Sequence, residues 1–487
     1  MRAINESGTP VNASIRRLFL VSVFLFVSLF AMLAYRQVIE AQDLADNPAN
    51  TRKVYAQMRI DRGLILASDR SVLAQNRRQD DLYYRTYPVG DLAPQLIGYS
   101  DPTYGQVGLE HSQNDYLTGT ADEVELVNLF DTLSGKEKSG ADIRLTIDPK
   151  VQRTALAQLQ QIGKQGAVVV LDVKTGAVVA MASNPTYDPN QLAANWLQLN
   201  SDPGAPLFNR ATQGLYTPGS SFKIITASAA LESGKYTPQS NFVDATGTVD
   251  IGGFTVHNYT PVPFGPHTLS DAVAKSINTT FAQIGDQLGR DKLIEYMQKY
   301  GFYEKPPFDL PPDEVSASGR YQGGELLTPG ASMDKAQVAS MAFGQEQLQV
   351  TPLQMAMVAQ SIANGGKMMR PYVVDSIADK HGTVVKQASP EVYKTPIQPG
   401  TAGELKDMMV QVVNDGTGTK AKTSKVQIAA KTGTAEVTGR GPNAWFVGFA
   451  PADNPRYAIA VVVEDSDAGG GIAGPVMRET LLSALGL

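Results

Sequence analysis

The sequence predicts an α+β chain: an antiparallel sheet flanked by helices, preceded by a strand-rich region and one apolar N-terminal helix. Three observations lead there. Residues 18–35 form a single uncharged apolar run. Beyond about residue 145, strand-like and helix-like segments mix without the regular alternation that a parallel sheet requires. The clearest strand pair, AVVVLDV and AVVAMAS, flanks Lys174-Thr175-Gly176 as the arms of a hairpin would. With 487 residues, 43% of them hydrophobic and 18% charged, the chain is long enough for more than one globular domain.

Composition removes several function classes. The net charge of -6 and the lack of any Lys or Arg run argue against a nucleic-acid partner. There is no cysteine, so disulfides and thiolate chemistry are excluded. The four histidines, His111, His257, His267 and His381, are scattered without metal-ligand spacing, so no metal is expected.

In chain order, residues 1–17 read as a short cytoplasmic tail and 18–35 as a transmembrane anchor. About 17–25 apolar residues cross a bilayer as a helix. Arg16 and Arg17 stand directly before the run and Arg2 further back, which predicts a cytoplasmic N-terminus and an external bulk. A cleaved leader has a shorter apolar core, of about 7–15 residues, and no A-x-A site follows Leu33. Residues 36–60 are polar, as in a stalk, and the stretch from Asp61 to about Ser139 reads as a small strand-rich pedestal. The stalk and pedestal thus cover 36–144. From 145 to 487 runs a second, larger domain. Val151–Ile162 has helical spacing behind a proline. Residues 251–268 and 302–332, rich in Gly, Pro and aromatics, read as long loops over a site. Residues 353–363 read as a buried helix, and RYAIAVVVE as a strand.

Three short motifs carry chemistry. The first is Ser220-Ser221-Phe222-Lys223, behind the turn Thr217-Pro218-Gly219 and ahead of the helix-compatible IITASAALE. Residues three apart share a helix face, so Lys223 is expected beside the Ser220 hydroxyl. A serine becomes nucleophilic when a neighbouring base takes its proton, and a desolvated lysine near other cations can be that base. Taken alone the pattern is weak, because it recurs as Ser332-Met333-Asp334-Lys335. The second is Ser276-Ile277-Asn278, where the serine could relay a proton and the amide could hold a substrate backbone. Ser112-Gln113-Asn114 repeats that pattern in the pedestal. The third is Lys431-Thr432-Gly433-Thr434 after the strand-like VQIAA. On an edge strand Lys431 would point into the cleft, Gly433 would admit a substrate strand, and both threonine hydroxyls could bind a carboxylate. Its double, Lys174-Thr175-Gly176, is a turn by composition.

Serine β-lactamases and penicillin-binding proteins carry S-x-x-K, S-x-N and K-T-G in that order. Only Ser220, Ser276 and Lys431 supply the order with the first lysine at a helix start and K-T-G inside a strand. Read so, the chain resembles a class B penicillin-binding protein, most of all the actinobacterial penicillin-binding protein A group. Arg62-Gly63-Leu64-Ile65 with Ser71-Val72-Leu73-Ala74 resembles the pedestal motif of that family, and Gly105-Gln106-Val107-Gly108-Leu109-Glu110 its next one. Leu145-Thr146-Ile147-Asp148, Thr351-Pro352-Leu353-Gln354 and Ala444-Trp445-Phe446-Val447-Gly448 resemble further blocks. Two departures are Asn443, where many relatives have His, and Ser221, where Thr is common.

The resemblance implies a penicillin-binding transpeptidase domain and a membrane-bound D,D-transpeptidase that cross-links peptidoglycan stem peptides outside the cell. Ser220 would attack the D-alanyl-D-alanine carbonyl and Lys223 would take its proton. Ser276 and Lys431 would pass that proton to the leaving D-alanine. Asn278 would orient the donor, and Thr432, Gly433 and Thr434 would line its carboxylate end. Backbone N–H groups of Ser220 and Thr434 would form the oxyanion hole. β-Lactams would acylate the same serine, no cofactor is implied, and a polytopic membrane glycosyltransferase is an implied partner. The motifs leave open a D,D-carboxypeptidase, which accepts water in place of the amine, and a non-catalytic penicillin-binding scaffold. A β-lactamase would need a deacylating base, and no loop Glu stands out as one.

Overall fold

In the computed structural model, the described residues are 10–38, 55, 58–125, 133, 138–260, 262–437, 439–466 and 469–487. Most of the expected stalk, and the tail up to residue 9, lie outside them. Met1–Arg59 and Ile60–Leu487 are separate units. In the first, a helix spans Pro10–Val38. Its Ser14–Arg36 stretch, 23 residues, is long and apolar enough to cross a membrane and is exposed all round. That exposure of Phe24, Phe26 and Phe30 is what a lipid-facing helix shows and a core helix does not.

The second unit is built on two sheets. The larger domain holds a five-stranded antiparallel sheet in the order Ala429–Val437, Arg440–Ala450, Tyr457–Val463, Gly166–Asp172, Val178–Asn184. Its strands are apolar on both faces because helices cover both. Alternate residues serve different cores: Val169 and Leu171 face the cluster holding the buried Pro352–Ala363 helix. Val168 and Val170 face Val151, Leu156 and Leu481, from the first and last helices of the domain. Asp148 caps the Pro149–Ile162 helix through Lys150 N and Val151 N. The expected hairpin is present, with the Asp172 carboxylate accepting from Lys174 N, Thr175 N and the Thr175 hydroxyl. This Lys-Thr-Gly is a turn.

The two expected loops are more regular than their composition suggested. Within 251–268, Phe254–His257 pairs with Thr248–Ile251, and Gly265–Thr268 pairs with Asn241–Asp244. Within 302–332, Gly319–Gln322 pairs with Glu325–Leu326 and with Leu348–Gln349. These strands are only two to four residues long. Each is too short to show alternation, so turn residues dominated the reading.

The pedestal sheet has six strands, in the order Val384–Gln387, Val374–Ala378, Asp142–Leu145, Ile65–Leu66, Val72–Gln79, Leu82–Thr86. The first two come from far along the chain. Arg144 Nε donates to Asp375 Oδ2 at 2.8 Å, across 231 positions. Short helices, Pro94–Ile97, Gly108–Ser112 and Asn114–Leu117, complete the pedestal. At its centre the fully buried Glu110 lies between Arg62 (2.7 Å) and Arg85 (2.6 Å). Burial pushes the Glu110 carboxyl up, but the two guanidinium groups more than offset this and hold it below the ordinary range. The Arg62-Gly63 and Gly108-Leu109-Glu110 blocks, 48 positions apart, are therefore one buried ion-pair cluster.

Candidate active site

The three motifs meet where the Ala429–Val437 edge strand lies against the start of the Lys223–Glu232 helix. Backbone packs on backbone there. Gly219 (φ 52) donates its N–H to Gly344 O at 3.0 Å. A Cβ on Gly344 (φ 92) would sit 1.8 Å from Gly219 O, and one on Gly219 2.5 Å from Thr434 O. Trp445 Nε1 donates to Thr217 O at 2.9 Å from the neighbouring strand. Gly433 takes part in the same packing, since a Cβ there would meet Pro218 O at 2.6 Å. The expectation was that its missing side chain admits a substrate strand. In the structure it admits the Ser220 turn.

Ser220 lies in the Gly219–Phe222 turn of 3-10 helix, half-buried, and its hydroxyl has no hydrogen-bond partner among the described residues. Lys223, one turn on, is fully buried. Its amine is engaged differently from the expected Ser220 contact: it donates to Ser276 O at 2.7 Å and Asn278 Oδ1 at 2.7 Å, and lies 3.2 Å from Ser276 Oγ. Burial drives the Lys223 amine well below the ordinary lysine range, and the nearby Lys431 adds to this. Lys431 is equally buried, and burial brings it down to about 7. Its amine donates to Ser276 Oγ at 2.9 Å and Thr432 O at 3.1 Å. Ser276 Oγ thus bridges two lysines. The Ser276 backbone is left-handed (φ 59), closing the Leu269–Lys275 helix before Asn278 opens the next one. That corner is what turns both polar side chains of the motif toward Lys223.

Neutral lysine has two hydrogens and one lone pair. The two 2.7 Å partners are obligate acceptors and use both hydrogens. The longest contact is to a hydroxyl, so a neutral Lys223 keeps its lone pair for hydroxyl protons. Asn278 is held at both ends, its Nδ2 donating to the His257 carbonyl at 2.9 Å, and keeps the second Nδ2 hydrogen for a ligand.

Thr432 is buried, and its hydroxyl lies 2.6 Å from that of Thr417. Sequence reading missed Thr417. Its signal was the run Gly416-Thr417-Gly418, tight enough that a Cβ on Gly416 would meet Ala274 O at 2.3 Å. The second serine–lysine pair is elsewhere: Ser332 is exposed, Lys335 is 76% exposed and pairs at 4.0 Å with Asp286. Asn114 serves the pedestal, accepting from Arg62. No cluster of His, Cys, Asp or Glu fit to hold a metal occurs among the described residues.

The penicillin binding protein transpeptidase domain matches residues 166–482, and the penicillin binding protein A dimerisation domain matches 62–143. The chain belongs to the penicillin-binding protein transpeptidase family. Among penicillin-binding proteins, the peptidoglycan D,D-transpeptidase PbpA of Mycolicibacterium smegmatis is 35% identical over 98% of this chain and 99% of its own length. PbpA of Mycobacterium tuberculosis is 32% identical over the same shares. The structure of M. tuberculosis penicillin-binding protein A as a ceftriaxone acyl-enzyme superposes with a TM-score of 0.82 at 32% identity, covering 88% of this chain and all (100%) of that one. A D,D-transpeptidase domain from Eggerthella lenta gives 0.76 at 36% identity, covering 88% and 99%. The α+β reading and the class B penicillin-binding resemblance both stand.

Proposed function

We propose that this chain is a peptidoglycan D,D-transpeptidase that works through a Ser220 acyl-enzyme and is acylated by β-lactams. The observation that carries the reading is that Ser276 Oγ bridges the buried Lys223 and Lys431 amines while Lys223, which also holds Asn278, stands one helical turn from Ser220, whose hydroxyl has no partner among the described residues. Its relatives' names and their β-lactam acyl-enzymes support it. Ser220 Oγ bonds to the donor carbonyl carbon as its proton passes to Lys223. The C–N bond to the terminal D-alanine breaks, and that amine takes a proton through Ser276 from the Lys223–Lys431 pair. An acceptor amine then displaces Ser220, which regains its proton. Asn278 orients the donor. Thr434 and Thr432 hold its carboxylate, and the Thr417 hydroxyl is hydrogen-bonded to that of Thr432 at 2.6 Å. The backbone N–H groups of Ser220 and Thr434 bind the oxyanion, a role whose loss elsewhere costs roughly 3–4 kcal/mol.

The same reading assigns 1–17 to the cytoplasm, 18–35 to the anchor, 36–144 to stalk and pedestal, and 145–487 to the transpeptidase domain. The bulk is outside the cell, and a polytopic membrane glycosyltransferase is the partner for the anchor and pedestal. The exposed apolar helix and the arginines before it support that orientation.

Full-length protein incubated with penicillin should gain one stable adduct by intact mass, mapping to Ser220. An adduct on Ser332, or none on folded protein, would overturn the reading. Supplying a D-alanyl-D-alanine donor with an amine acceptor should yield the cross-linked product; hydrolysis alone would mark a carboxypeptidase.

The pH profile of acylation should be bell-shaped, with apparent values belonging to the lysine pair. Activity rises as Lys223 loses its proton, below the ordinary lysine range because burial and Lys431 depress it. It falls as Lys431 loses its own, from about 7 upward. Rates that climb only toward the ordinary lysine value of about 10.4 would contradict this.

A further inference from the structure

Asp244 ends the short Asn241–Asp244 strand and is buried, at 3% exposure. Among the described residues no cation faces it. Each carboxylate contact is an N–H: Gly247 N donates to Oδ1 at 2.9 Å, Asn258 Nδ2 to Oδ2 at 2.7 Å and Phe264 N to Oδ2 at 3.1 Å. An ionised carboxylate only accepts, whereas an asparagine amide has one accepting and one donating end. Asp244 therefore dictates which way Asn258 points. With its Nδ2 committed, Asn258 offers Oδ1 to Thr279 N, at 3.1 Å. Thr279 is the second residue of the helix that Asn278 begins.

The adjoining residue grips Asn278 itself, through its Nδ2 and the His257 carbonyl at 2.9 Å. That leaves Asn278 Oδ1 for Lys223 Nζ at 2.7 Å. Residues 257 and 258 thus hold the start of this helix at two points, each with a fixed donor and acceptor sense. Reversing Asn258 would set an NH₂ against the Thr279 N–H. Reversing Asn278 would set one against Lys223. An unmatched buried polar group of this kind is expensive, so Asp244 keeps Asn258 seated on Thr279 N, and the His257 carbonyl beside it stays in reach of Asn278.

We propose that Asp244, acting through Asn258, is a positioning residue that holds the first turn of the Asn278–Lys299 helix in place, and with it Asn278 and the seat of Lys223. The inference rests on the acyl-enzyme reading above.

The test is acylation of full-length protein by penicillin, timed by intact mass, with the melting temperature of every variant recorded. Asp244→Asn is nearly isosteric but has one accepting oxygen for the N–H groups of Gly247, Asn258 and Phe264, so its NH₂ must face at least one of them. It should slow acylation at least about tenfold in protein that remains folded at the assay temperature. Combining Asp244→Asn with Asn258→Asp lets the new amide donate to residue 258, whose carboxylate accepts from Thr279 N, while Gly247 N keeps the amide oxygen and Phe264 N meets the NH₂. This pair should recover most of the lost rate. Wild-type rates in folded Asp244→Asn, or no recovery in the exchanged pair, would overturn the inference while leaving the reading intact. Should Asp244→Asn not fold, Asn258→Ala carries the same expectation, and loss of folding in both would assign the pair to stability alone. A wild-type protein that penicillin does not label would overturn the reading and this inference with it.

Discussion

Lys223→Met is expected to abolish acylation and to make the fold less sensitive to acid. The side chain is fully buried in a helix whose residues Lys223–Leu231 are all buried. Loss of a general base typically costs about 10²–10⁴-fold, so labelling should vanish on the time scale of the wild-type reaction. The stability effect follows from the same depressed amine. In the unfolded chain the lysine titrates near its ordinary value; in the fold, burial and Lys431 push it well below. Between those two values the unfolded state binds the extra proton, so folding stability rises with pH across that window. Each unit of depression is worth about 1.4 kcal/mol. Methionine removes this term but leaves Ser276 O and Asn278 Oδ1 without a donor, at about 1–3 kcal/mol each. The absolute difference is therefore a balance, but its pH dependence is not. Denaturant titrations near pH ~6 and ~9 should show wild type gaining on Lys223→Met as pH rises. A constant difference would mean that Lys223 folds as a cation.

Glu110→Ala should destabilise the pedestal by about 3–5 kcal/mol, because it leaves two buried guanidinium groups facing each other without their anion. Arg85 Nη2 already lacks a partner, so the cluster has no spare acceptor to turn to. Arg62 would keep Asn114 Oδ1 at 2.8 Å and the Glu110 main-chain oxygen at 2.5 Å. Arg85 would keep Gly63 O at 2.8 Å. These hold geometry but not charge. Glu110→Gln should lose less, since an amide oxygen can still accept from one arginine. A shift in denaturant midpoint of the full-length protein measures both; equal losses for Ala and Gln would show that the hydrogen bond an amide retains contributes nothing beside the lost charge.

What the sequence revealed follows the range of the interactions involved. Long elements with clear periods were legible: the Pro149–Ile162 helix, the hairpin around Lys174, and the buried helix at 352–363. The three motifs were legible because each is contiguous and their order excludes the duplicates. Contacts made in space were not. Lys223 was expected on Ser220 from helix spacing alone, yet its hydrogen bonds go to Ser276 and Asn278, 53 and 55 positions away. Gly433 looked like room for a ligand, and the room is filled by Pro218. Thr417 and Asp244 sit in runs of small and turn-forming residues, where composition says loop and nothing local says what the loop touches. The paired strands within 251–268 and 302–332 were hidden for a related reason, being too short to carry a period.

The pedestal sheet also constrains how the chain can be made. Synthesis delivers Asp142–Leu145 early, but the strand that covers its outer edge, Val374–Ala378, arrives only after most of the larger domain. Until then an exposed strand edge is free to recruit a wrong neighbour, including the same edge of another nascent chain. The registry Ile143 to Ile377 closes one of the longest loops in the fold, and such closure is slow. A chain that stops before residue 374 therefore lacks more than its C-terminal catalytic strand: its first domain is left unsealed, and such fragments should aggregate.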